Sequence, residues 1–488
     1  MRRRSLGYTA GLVFTSGKRS RKRSRRKVRL GEKAARRRYA AGYARGHEEG
    51  RKLGQSSFGK IFEGTSIIIP TFNKLELLKA CVDSIEAYTI PPYEIIVVDN
   101  GSTDGTRDYL LRRSVSMRYC ILPENKGFAG GVNHGLMMAK GSRIVVLNND
   151  TIVTPNWLDH MLSCLDSDAS IGLVGPVTNY ISGEQQIDVP YQPDQIGEML
   201  AFAQHNNKPD PGRWRETNRL VGFCFLFRRE ALEQVGYFDE GFRIGNYEDE
   251  DWILRMKLTG QRLMIAGDAF IHHAGSASMK TLRHDDFHRI NEHNRLYFER
   301  KWEHLSAWLE GVSRHGHEAE HPRSLSAVQR YPDGIIVKGP SGQIYWLEQG
   351  VKYPLFTGSS VKETWILPFE PVRLSRYDLL VYEQGNFITV QDVQQRLELM
   401  PITFDDTFLE NISNCDGQFI SAGYSSVQRY YQIRSGSLCP LLSTYAAEEW
   451  RLPQRNLPTI SESEYKLLQQ LLSPGTPIMA PPKLSEGL

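Results

Sequence analysis

The chain has 488 residues, too many for a single hydrophobic core, and its 40% apolar and 24% charged residues are typical of a globular protein with two or three domains. No apolar run is long enough to cross a membrane, and the basic start lacks the apolar segment of a signal peptide. The six cysteines form no CxxC pair. This pattern predicts reduced thiols in a cytoplasmic protein, with peripheral attachment to a membrane or surface layer left open.

The charge is concentrated at the start of the chain. Residues 1–54 contain 19 Lys and Arg against 3 Glu, a net charge of +16, so the remainder carries −12 of the total of +4. Residues 1–60 are predicted to be a largely disordered or helical segment whose basic tail contacts an anionic polymer or surface; a solvated tail is the alternative. Gly42, Gly46, Gly50 and Gly54 recur every four residues, which predicts either self-association of a helix through a smooth face or a flexible linker.

From Gly64 onward, apolar β-branched runs alternate with amphipathic segments, which predicts a parallel sheet with helical crossovers. The predicted strands are Thr65–Pro70, Glu94–Val98, Tyr119–Leu122, Ile144–Leu147 and Leu220–Phe227, and the predicted helices are Leu75–Tyr88, Thr106–Arg113, Gly131–Ala139, Glu230–Val235, Trp252–Leu258 and Asp285–Trp302.

Small polar residues follow these strands. Thr71 to Asn73 follow the first strand, Asp99 follows the second, and Asn148-Asn149-Asp150 follow the fourth. Ligands of open α/β sheets bind beyond the carboxyl ends of the strands, and a carboxylate there is suited to a divalent cation. Taken alone, the cluster Asn148-Asn149-Asp150 is more typical of an ordinary Asn/Asp turn, and the segments before and after it favour the ligand site.

Four adjacent carboxylates, Glu248 to Asp251, open the helix that continues from Trp252. Acidic residues in a first turn favour the helix dipole, which is a purely structural explanation. Mutual repulsion and an apolar neighbourhood would instead raise the pKa of one carboxyl group, as a general base requires. The polar segment Thr178–Arg219 is predicted to be an irregular acceptor-side loop, in which Trp214 either stacks on a sugar or anchors the packing.

Seven segments in order carry a family resemblance: SIIIPTFN, VVDNGSTDGT, NKGFAGGVNHG, LNNDTIVTPNWL, LVGFCFLFRREALEQVGYFDEGF, YEDEDWILRMKLTGQRL and IHHAGSAS. Together they resemble a family 2 glycosyltransferase of the GT-A fold over residues 64–305. The resemblance implies a Rossmann-like, mostly parallel α/β domain at 61–310 that transfers a sugar from a UDP- or dTDP-linked donor to a hydroxyl of a glycan, polymer or protein, with inversion at the anomeric carbon.

The resemblance also implies roles for individual residues. Asp249 would be the catalytic base, with Glu248, Asp251 and Trp214 supporting the geometry or the acceptor. Asp150 and His272 would bind Mn²⁺ or Mg²⁺, with His273 as the alternative to His272. The residues expected to bind the donor are Pro70, Thr71, Asn73, Asp99, Asn125, Gly127 and Asn149. Relatives commonly carry DxD where this chain has Asn148-Asn149-Asp150, which leaves one ionised ligand.

Beyond a predicted linker at 311–325, a β-rich domain is expected at 326–455, followed by a short helix and a Pro-rich, disordered tail at 456–488. Ile344–Leu355 and Tyr430–Leu441 share Tyr, Gly and Pro-Leu at equal spacing, and Leu380–Thr389 resembles a degenerate third copy. Each copy predicts a β-hairpin. Such repeats resemble those appended to bacterial surface-associated proteins, which favours a binding or assembly module over a structural cover.

Two other functions compete with the metal-dependent transferase. The single carboxylate in Asn148-Asn149-Asp150 is compatible with a non-catalytic glycan- or polymer-binding protein on a degenerate transferase fold. The basic tail is compatible with a nucleic-acid-binding scaffold, although no aromatic residues interleave its charges in the way that base stacking would need.

Overall fold

A computed structural model describes residues 62–113, 117–192, 195–275, 284–305, 327–356, 367–398, 412, 415–424, 427–455, 457–486 and 488, with scattered residues between 38 and 61. The chain divides into two compact units, residues 1–61 and 62–488. In the first unit the described residues from Arg38 to Gly54 are helical. The four periodic glycines lie on this helix with no atom within 4 Å of an added Cβ, so self-association through them stays a prediction. Most of the basic tail lies outside the described residues.

The second unit begins with a nine-stranded mixed sheet in the order β3-β2-β1-β4-β8-β6-β9-β5, with β7 paired to β9. The strands are β1 Phe62–Thr71, β2 Tyr93–Asp99, β3 Arg118–Ile121, β4 Gly141–Leu147, β5 Thr151–Val153, β6 Ile171–Thr178, β7 Trp214–Thr217, β8 Cys224–Arg228 and β9 Arg262–His273. The pairings among β1 to β4 are parallel, as predicted, whereas β8 runs antiparallel to β4 and β6.

Helices cover both faces of this sheet. They are α1 Leu75–Tyr88, α2 Thr106–Arg112, α3 Gly127–Met138, α4 Trp157–Asp166, α5 Ile196–Asn206, α6 Arg229–Val235, α7 Glu248–Leu258 and α8 His284–Lys301. Helices α1 and α4 bury Leu78 and Trp157 in one core with β-strand residues such as Val145, while α3 and α7 bury Leu136 and Trp252 in a second core. Two cores on opposite faces explain why the inner strands are apolar throughout. The α/β class is confirmed.

The segment predicted to be an irregular loop has more regular structure than its sequence indicated. Within Thr178–Arg219, the described residues form helix α5 and edge strand β7. Met199 and Ala203 are the buried apolar residues of α5 and recur only once at helical spacing, which is why periodicity did not reveal the helix.

Two five-stranded sheets of identical topology follow, in the orders β13-β10-β11-β12-β14 and β18-β15-β16-β17-β19. The first contains β10 Ile335–Lys338, β11 Ile344–Glu348, β12 Val351–Pro354, β13 Val372–Arg373 and β14 Glu383–Gln384. The second contains β15 Phe419–Tyr424, β16 Val427–Arg434, β17 Ser437–Pro440, β18 Thr459–Ile460 and β19 Ser473–Pro474. The accompanying helices are α9 Ala327–Arg330, α10 Arg376–Leu380, α11 Val390–Glu398, α12 Thr444–Glu449 and α13 Glu462–Leu471.

The two predicted hairpin repeats are present in equivalent registers. Gln349-Gly350 joins β11 to β12 and Ser435-Gly436 joins β16 to β17, and all four residues have positive φ, as a type I′ turn requires. The backbone N–H at the start of each turn donates to an aspartate that precedes the hairpin strands, Asp333 or Asp416. We define the first repeat as residues 333–388 and the second repeat as residues 416–478.

The third copy predicted at Leu380–Thr389 is wrong. Its strand β14 pairs in parallel with β12 and closes the sheet of the first repeat instead of forming a hairpin of its own. The Pro-rich end that was predicted to be disordered after the short helix of 456–488 is packed: Ile478 bridges to Leu441, and Met479 and Ala480 are buried. The predicted linker at 311–325 lies outside the described residues.

The repeats pack against the sheet domain through α6, α7 and α8. The ring of Tyr237 lies 5.0 Å from that of Tyr377, and the hydroxyls of Tyr297 and Tyr445 are 3.1 Å apart. Met479 and Leu442 share an apolar cluster with Trp302. Residues 62–488 therefore form one compact unit, within which the repeats support the side of the sheet domain formed by these helices.

Candidate active site

A cleft of about 350 Å³ opens at the carboxyl ends of the parallel strands, where the sequence placed the ligand. Of the predicted site residues, those that line it are Pro70, Thr71, Asn125, Gly127, Asn149, Asp150, Glu248 and Asp249. The predicted residues that do not line it are Asn73, Asp99, Trp214, Asp251 and His272.

Asp150 and His273 form the acidic and basic pair of the cleft. Asp150 follows β4 and His273 ends β9, and the two residues come together because β5 pairs with β9. The Nε2 atom of His273 lies 3.3 Å from Oδ1 of Asp150, and both side chains are buried. The Nδ1 atom of His273 is 2.8 Å from the carbonyl oxygen of Tyr180, which only accepts, so Nδ1 carries a proton and Nε2 faces the carboxylate.

His273, the predicted alternative to His272, is the histidine that lies beside Asp150, and a metal-binding role for it stays a prediction. Successive side chains of a strand point to opposite faces, so His272 lies on the other side of β9. There its Nδ1 atom is 3.0 Å from the hydroxyl of Tyr191. Burial, followed by the charge of His273, lowers the pKa of His272, which keeps it neutral in this pocket.

The pair of Asp150 and His273 fits a divalent cation, with a carboxylate oxygen and an imidazole nitrogen directed at each other. Among the described residues, no group of three or more His, Cys, Asp and Glu side chains is arranged to hold a metal. A cation bound here would therefore complete its coordination with ligands other than those side chains. Diphosphate oxygens and water are hard ligands of the kind that such cations take.

The donor-side wall is held together by asparagine side chains. Nδ2 of Asn149 donates to Oγ1 of Thr71 at 2.7 Å, which ties the exit of β4 to that of β1. Asn100, which was missed in the sequence, accepts from the Lys126 N–H and donates to the Gly127 carbonyl, both at 2.8 Å. Gly127 has φ of +76°, and an added Cβ would lie 3.2 Å from the backbone of Ile244. A glycine is therefore required where this wall meets the next loop.

Asp99 and Asn73 do not line the cleft but stabilise the turns next to the donor-side wall. Oδ1 of Asp99 accepts from the Ser102 N–H at 2.9 Å, and the whole side chain is buried. Asn73 has φ of +50°, and its Oδ1 accepts from the Thr103 N–H at 2.7 Å. Both residues shape the turns after β1 and β2, so direct contact with a donor stays a prediction for each.

The loop that leads into α7 has an unusual backbone. Ile244, Asn246 and Tyr247 all have positive φ, a region that non-glycine residues and β-branched residues in particular seldom adopt. The buried Asn294 of α8 holds this loop: its Oδ1 accepts from the Arg243 N–H, and its Nδ2 lies within 3.1 Å of three loop carbonyls. The strained loop lines the cleft, as strained segments of binding sites often do.

Glu248 and Asp249 present carboxyl groups to the cleft. Oδ2 of Asp249 accepts from the Gly222 N–H at 3.0 Å, and the side chain stays partly exposed. Burial raises the pKa of Asp249 despite this hydrogen bond. Burial and then the charge of Asp249 raise the pKa of Glu248 well above its ordinary value. The geometry thus supplies an accessible carboxylate beside a second carboxyl group that holds its proton more tightly.

Asp251 does not reach the cleft, which corrects its predicted contact with the acceptor. It is fully buried and lies 2.6 Å from Nζ of Lys301 and 3.0 Å from a guanidinium nitrogen of Arg255. Lys301 also lies 2.6 Å from Oδ2 of Asp239. Burial alone would raise the pKa of Asp251, but the charges of Lys301 and Arg255 lower it below its ordinary value. Asp251 thus serves the geometry alone.

Trp214 is a packing anchor, the second of its two predicted roles. It begins edge strand β7, and its Nε1 donates to Oδ1 of the buried Asp268 at 2.8 Å. Its ring packs against the core on one face of the sheet. Stacking of Trp214 on an acceptor sugar in this cleft is therefore excluded by its position.

The sheet domain, with its mixed α/β sheet and a polar cleft beyond the strand exits, has the GT-A fold. Residues 66–236, less than half of the chain, match the family described as Glycosyl transferase family 2. The resemblance found in the sequence is confirmed.

Curated relatives and solved structures share this region. The O-antigen biosynthesis protein RfbC of Myxococcus xanthus is 30% identical over 44% of this chain and 18% of its own length. Glycosyltransferase AglE of Haloferax volcanii is 26% identical over 42% and 64%. The chain thus spans less than two thirds of either relative. The mannosyltransferase PcManGT of Pyrobaculum calidifontis, solved with GDP-Man and Mn²⁺, is 22% identical over 44% and 57%, with a TM-score of 0.33.

Among the described residues, no helix is both long and apolar enough to cross a membrane. All six cysteines are free, as predicted, and five of them are buried.

Proposed function

We propose that this chain transfers a sugar from a nucleotide diphosphate sugar to a hydroxyl of a glycan, polymer or protein acceptor, with inversion at the anomeric carbon. One observation carries the proposal. In a single cleft of a family 2 domain, the partly exposed Asp249 shares the space with the Asp150–His273 pair. A base for the acceptor and a site for the diphosphate are thus available together.

Asp249 accepts the proton of the acceptor hydroxyl as its oxygen attacks the anomeric carbon. The bond from that carbon to the diphosphate oxygen breaks in the same displacement, so no covalent sugar–enzyme intermediate forms. A raised pKa makes the ionised Asp249 a stronger base than an exposed aspartate. The backbone N–H groups of Gly222 and Glu250 donate to its two carboxylate oxygens and hold them in place.

Asp150 and His273 would hold a divalent cation, Mn²⁺ or Mg²⁺, which when bound neutralises the charge of the leaving diphosphate. The wall of Thr71, Asn100 and Asn149 is suited to a nucleoside diphosphate, because it offers amide and hydroxyl groups at the strand exits. We propose UDP- or dTDP-linked sugars as the donors.

A panel of UDP-, dTDP- and GDP-sugars with Mn²⁺, scored for release of nucleoside diphosphate, tests the proposal. We expect release with at least one donor that rises when an acceptor is added. Tight nucleotide binding without release from any donor would favour the non-catalytic glycan-binding alternative, which is supported by the single carboxylate of the Asn148–Asp150 segment.

Asp150→Ala should weaken the binding of nucleotide and Mn²⁺ together, since Asp150 is the only carboxylate of its segment. Calorimetry of UDP binding with and without Mn²⁺ measures this effect. Asp159→Ala, which removes an aspartate that does not line the cleft, is the matched control. Equal Mn²⁺-dependent binding by wild type and Asp150→Ala would show that the metal assignment is wrong.

A further inference from the structure

A second cavity, of about 560 Å³, lies in the second repeat. Its walls come from hairpin β16–β17, helix α13 and the segment around β19. The volume lies within the range of about 300–1,000 Å³ that is typical of small-molecule sites. The cavity is formed by elements of the repeats and by His304 after α8, and it shares no lining residue with the cleft of the sheet domain.

The two repeats show which residues of this cavity are additions to the common fold. Helices α10 and α13 both begin with a capping box, at Ser375 and Ser461, but α10 has five residues and α13 has ten. When the caps are aligned, the second repeat has Tyr465 and Lys466 at the positions of Leu379 and Leu380.

The additional length of α13 contributes Gln469 and Gln470 to the cavity wall. Gln469 and Gln470 are both exposed, so their amide groups are accessible to a ligand. The change from leucine to tyrosine and lysine, followed by two glutamines, is what a polar ligand would need.

The tyrosines of the cavity are held in fixed positions. The rings of Tyr431 and Tyr465 lie 5.0 Å apart at 41°, and Nε2 of Gln469 donates to the hydroxyl of Tyr465 at 3.1 Å. Tyr430, from the same strand as Tyr431, is partly buried at the opposite face. Rigid amphipathic rings beside amide groups suit a ligand with both C–H faces and hydroxyl groups, which is the chemistry of a pyranose ring.

The charge of the cavity is positive. Arg429 and Lys466 line it and are exposed, and none of the described residues that line it is acidic. Glu462, one turn before Lys466, does not line the cavity. Its carboxylate lies 2.9 Å from the ammonium group of Lys466. Cations at the rim of a cavity attract and orient an anionic group of a ligand.

We propose that the second repeat binds an acidic oligosaccharide in this cavity, with Tyr430 and Tyr465 contacting sugar rings, the buried Tyr431 supporting Tyr465, and Arg429 and Lys466 contacting carboxylate or phosphate groups. The identification of this oligosaccharide as part of the acceptor rests on the proposed transferase function, but its binding does not. The site would hold a growing or polymeric acceptor at a second point on the same chain.

Calorimetry of the full chain with hexagalacturonate, in the absence of nucleotide and metal, tests the proposal. Lys466→Ala combined with Gln469→Ala should weaken binding roughly tenfold or more, because a charge-assisted hydrogen bond and an amide contact are lost. Lys79→Ala is the matched control, since Lys79 also pairs with a glutamate one turn away, Glu76, but lies on α1 outside the cavity. Its affinity for the probe should equal that of the wild type.

Tyr465→Phe keeps the ring and should retain most of the binding, whereas Tyr465→Ala should lose it. Melting temperatures of both variants identify any loss of folding, and the double variant at exposed Lys466 and Gln469 keeps the test decisive if Tyr465→Ala does not fold. Equal binding of neutral maltohexaose or of polyglutamate would overturn the proposal, as would an absence of binding to the wild type.

Asp249→Asn should bind hexagalacturonate as the wild type does. Loss of binding in Asp249→Asn would place the probe in the cleft and overturn the assignment to the second repeat. The binding measurement contains no donor, so it does not depend on whether the chain is an active transferase. In the same way, a failure to bind hexagalacturonate would not affect the outcome of the donor panel.

Discussion

The two sides of helix α7 show how one acidic run is divided between two environments. Glu248 and Asp249 open toward the cleft, where burial raises the pKa of both. Asp251, two residues further on, faces the interior and is held by Lys301 and Arg255, which lower its pKa.

A helix turns by about 100° per residue, so two residues of spacing are enough to place carboxylates on opposite sides. On the cleft side, Glu248 and Asp249 can exchange protons. On the interior side, Asp251 stays ionised and joins α7 to α8 through its ion pair with Lys301. The chemistry of this run is therefore set by position on the helix and not by residue type. Each substitution below tests one side of this division.

The largest effect is expected for Asp249→Asn, with a loss of about 10²–10⁴-fold in kcat, because the base is removed while size and shape are kept. Nucleotide affinity and melting temperature should change little. Asp251→Asn is the contrasting variant and should lose stability, since it removes the buried carboxylate that pairs with both Lys301 and Arg255. Retained turnover in Asp249→Asn together with retained stability in Asp251→Asn would show that the two sides of α7 do not have these different roles.

Lys301→Met should lower the free energy of unfolding by about 3–5 kcal/mol, because it leaves Asp239 and Asp251 buried without a shared cation. Urea denaturation measures the loss. Lys257→Met is the control: Lys257 lies on the exposed side of α7, and its replacement should stay within about 0.5 kcal/mol of the wild type. Equal stability of the two variants would show that the buried network contributes nothing.

Asn294→Ala should reduce kcat/KM for the acceptor by roughly tenfold, since the strained loop over residues 244–247 loses the amide that holds its backbone, at a cost of about 1–3 kcal/mol. Steady-state kinetics with the donor and the acceptor varied separately measure it. Asn291→Ala removes a single side-chain contact to the same loop, at 3.2 Å, and should have a much smaller effect. An equal loss in both variants would contradict the role of Asn294.

The smallest effect is expected for Glu248→Gln and depends on pH. A carboxyl group with a raised folded pKa stabilises the fold fully below its unfolded pKa of about 4.3 and loses that contribution as the pH rises through the folded pKa. The variant should therefore gain melting temperature relative to the wild type as the pH increases from 4.5 to 8. A difference that stays constant over this range would show that Glu248 does not titrate in the folded protein.

Much of the sheet and of the cleft follows from local sequence. The apolar runs of β1, β2 and β4 end at small polar residues, so Thr71, Asn149 and Asp150 could be assigned to one edge of a parallel sheet. The paired repeats could be found because Gly350 and Gly436 occupy equivalent turns with the same spacing to Pro-Leu.

Other features depend on contacts that the sequence does not show. The choice of His273 over His272 depends on the register of β9, which contains an irregularity against β6. Asn294 acts on a loop about 50 residues away, and no local pattern connects the two. The interior role of Asp251 could have been predicted from the sequence, since Asp251 and Arg255 have the i, i+4 spacing of a helical ion pair.

The hydrogen bonds between Asp239–Glu240 and the segment from Lys483 to Ser485 join residues about 244 positions apart. Asn133 of α3 donates to the same Glu240, so this late segment also supports a helix of the cleft. On the ribosome, at 5–20 residues per second, the gap corresponds to on the order of 10–50 s. During that time the sheet domain can fold around its own cores. The loop at Asp239–Glu240, which contacts α3, still lacks its hydrogen bonds from Lys483 and Ser485. Its completion therefore follows the synthesis of the repeats, which makes the maturation of the cleft a late event in the biogenesis of this chain.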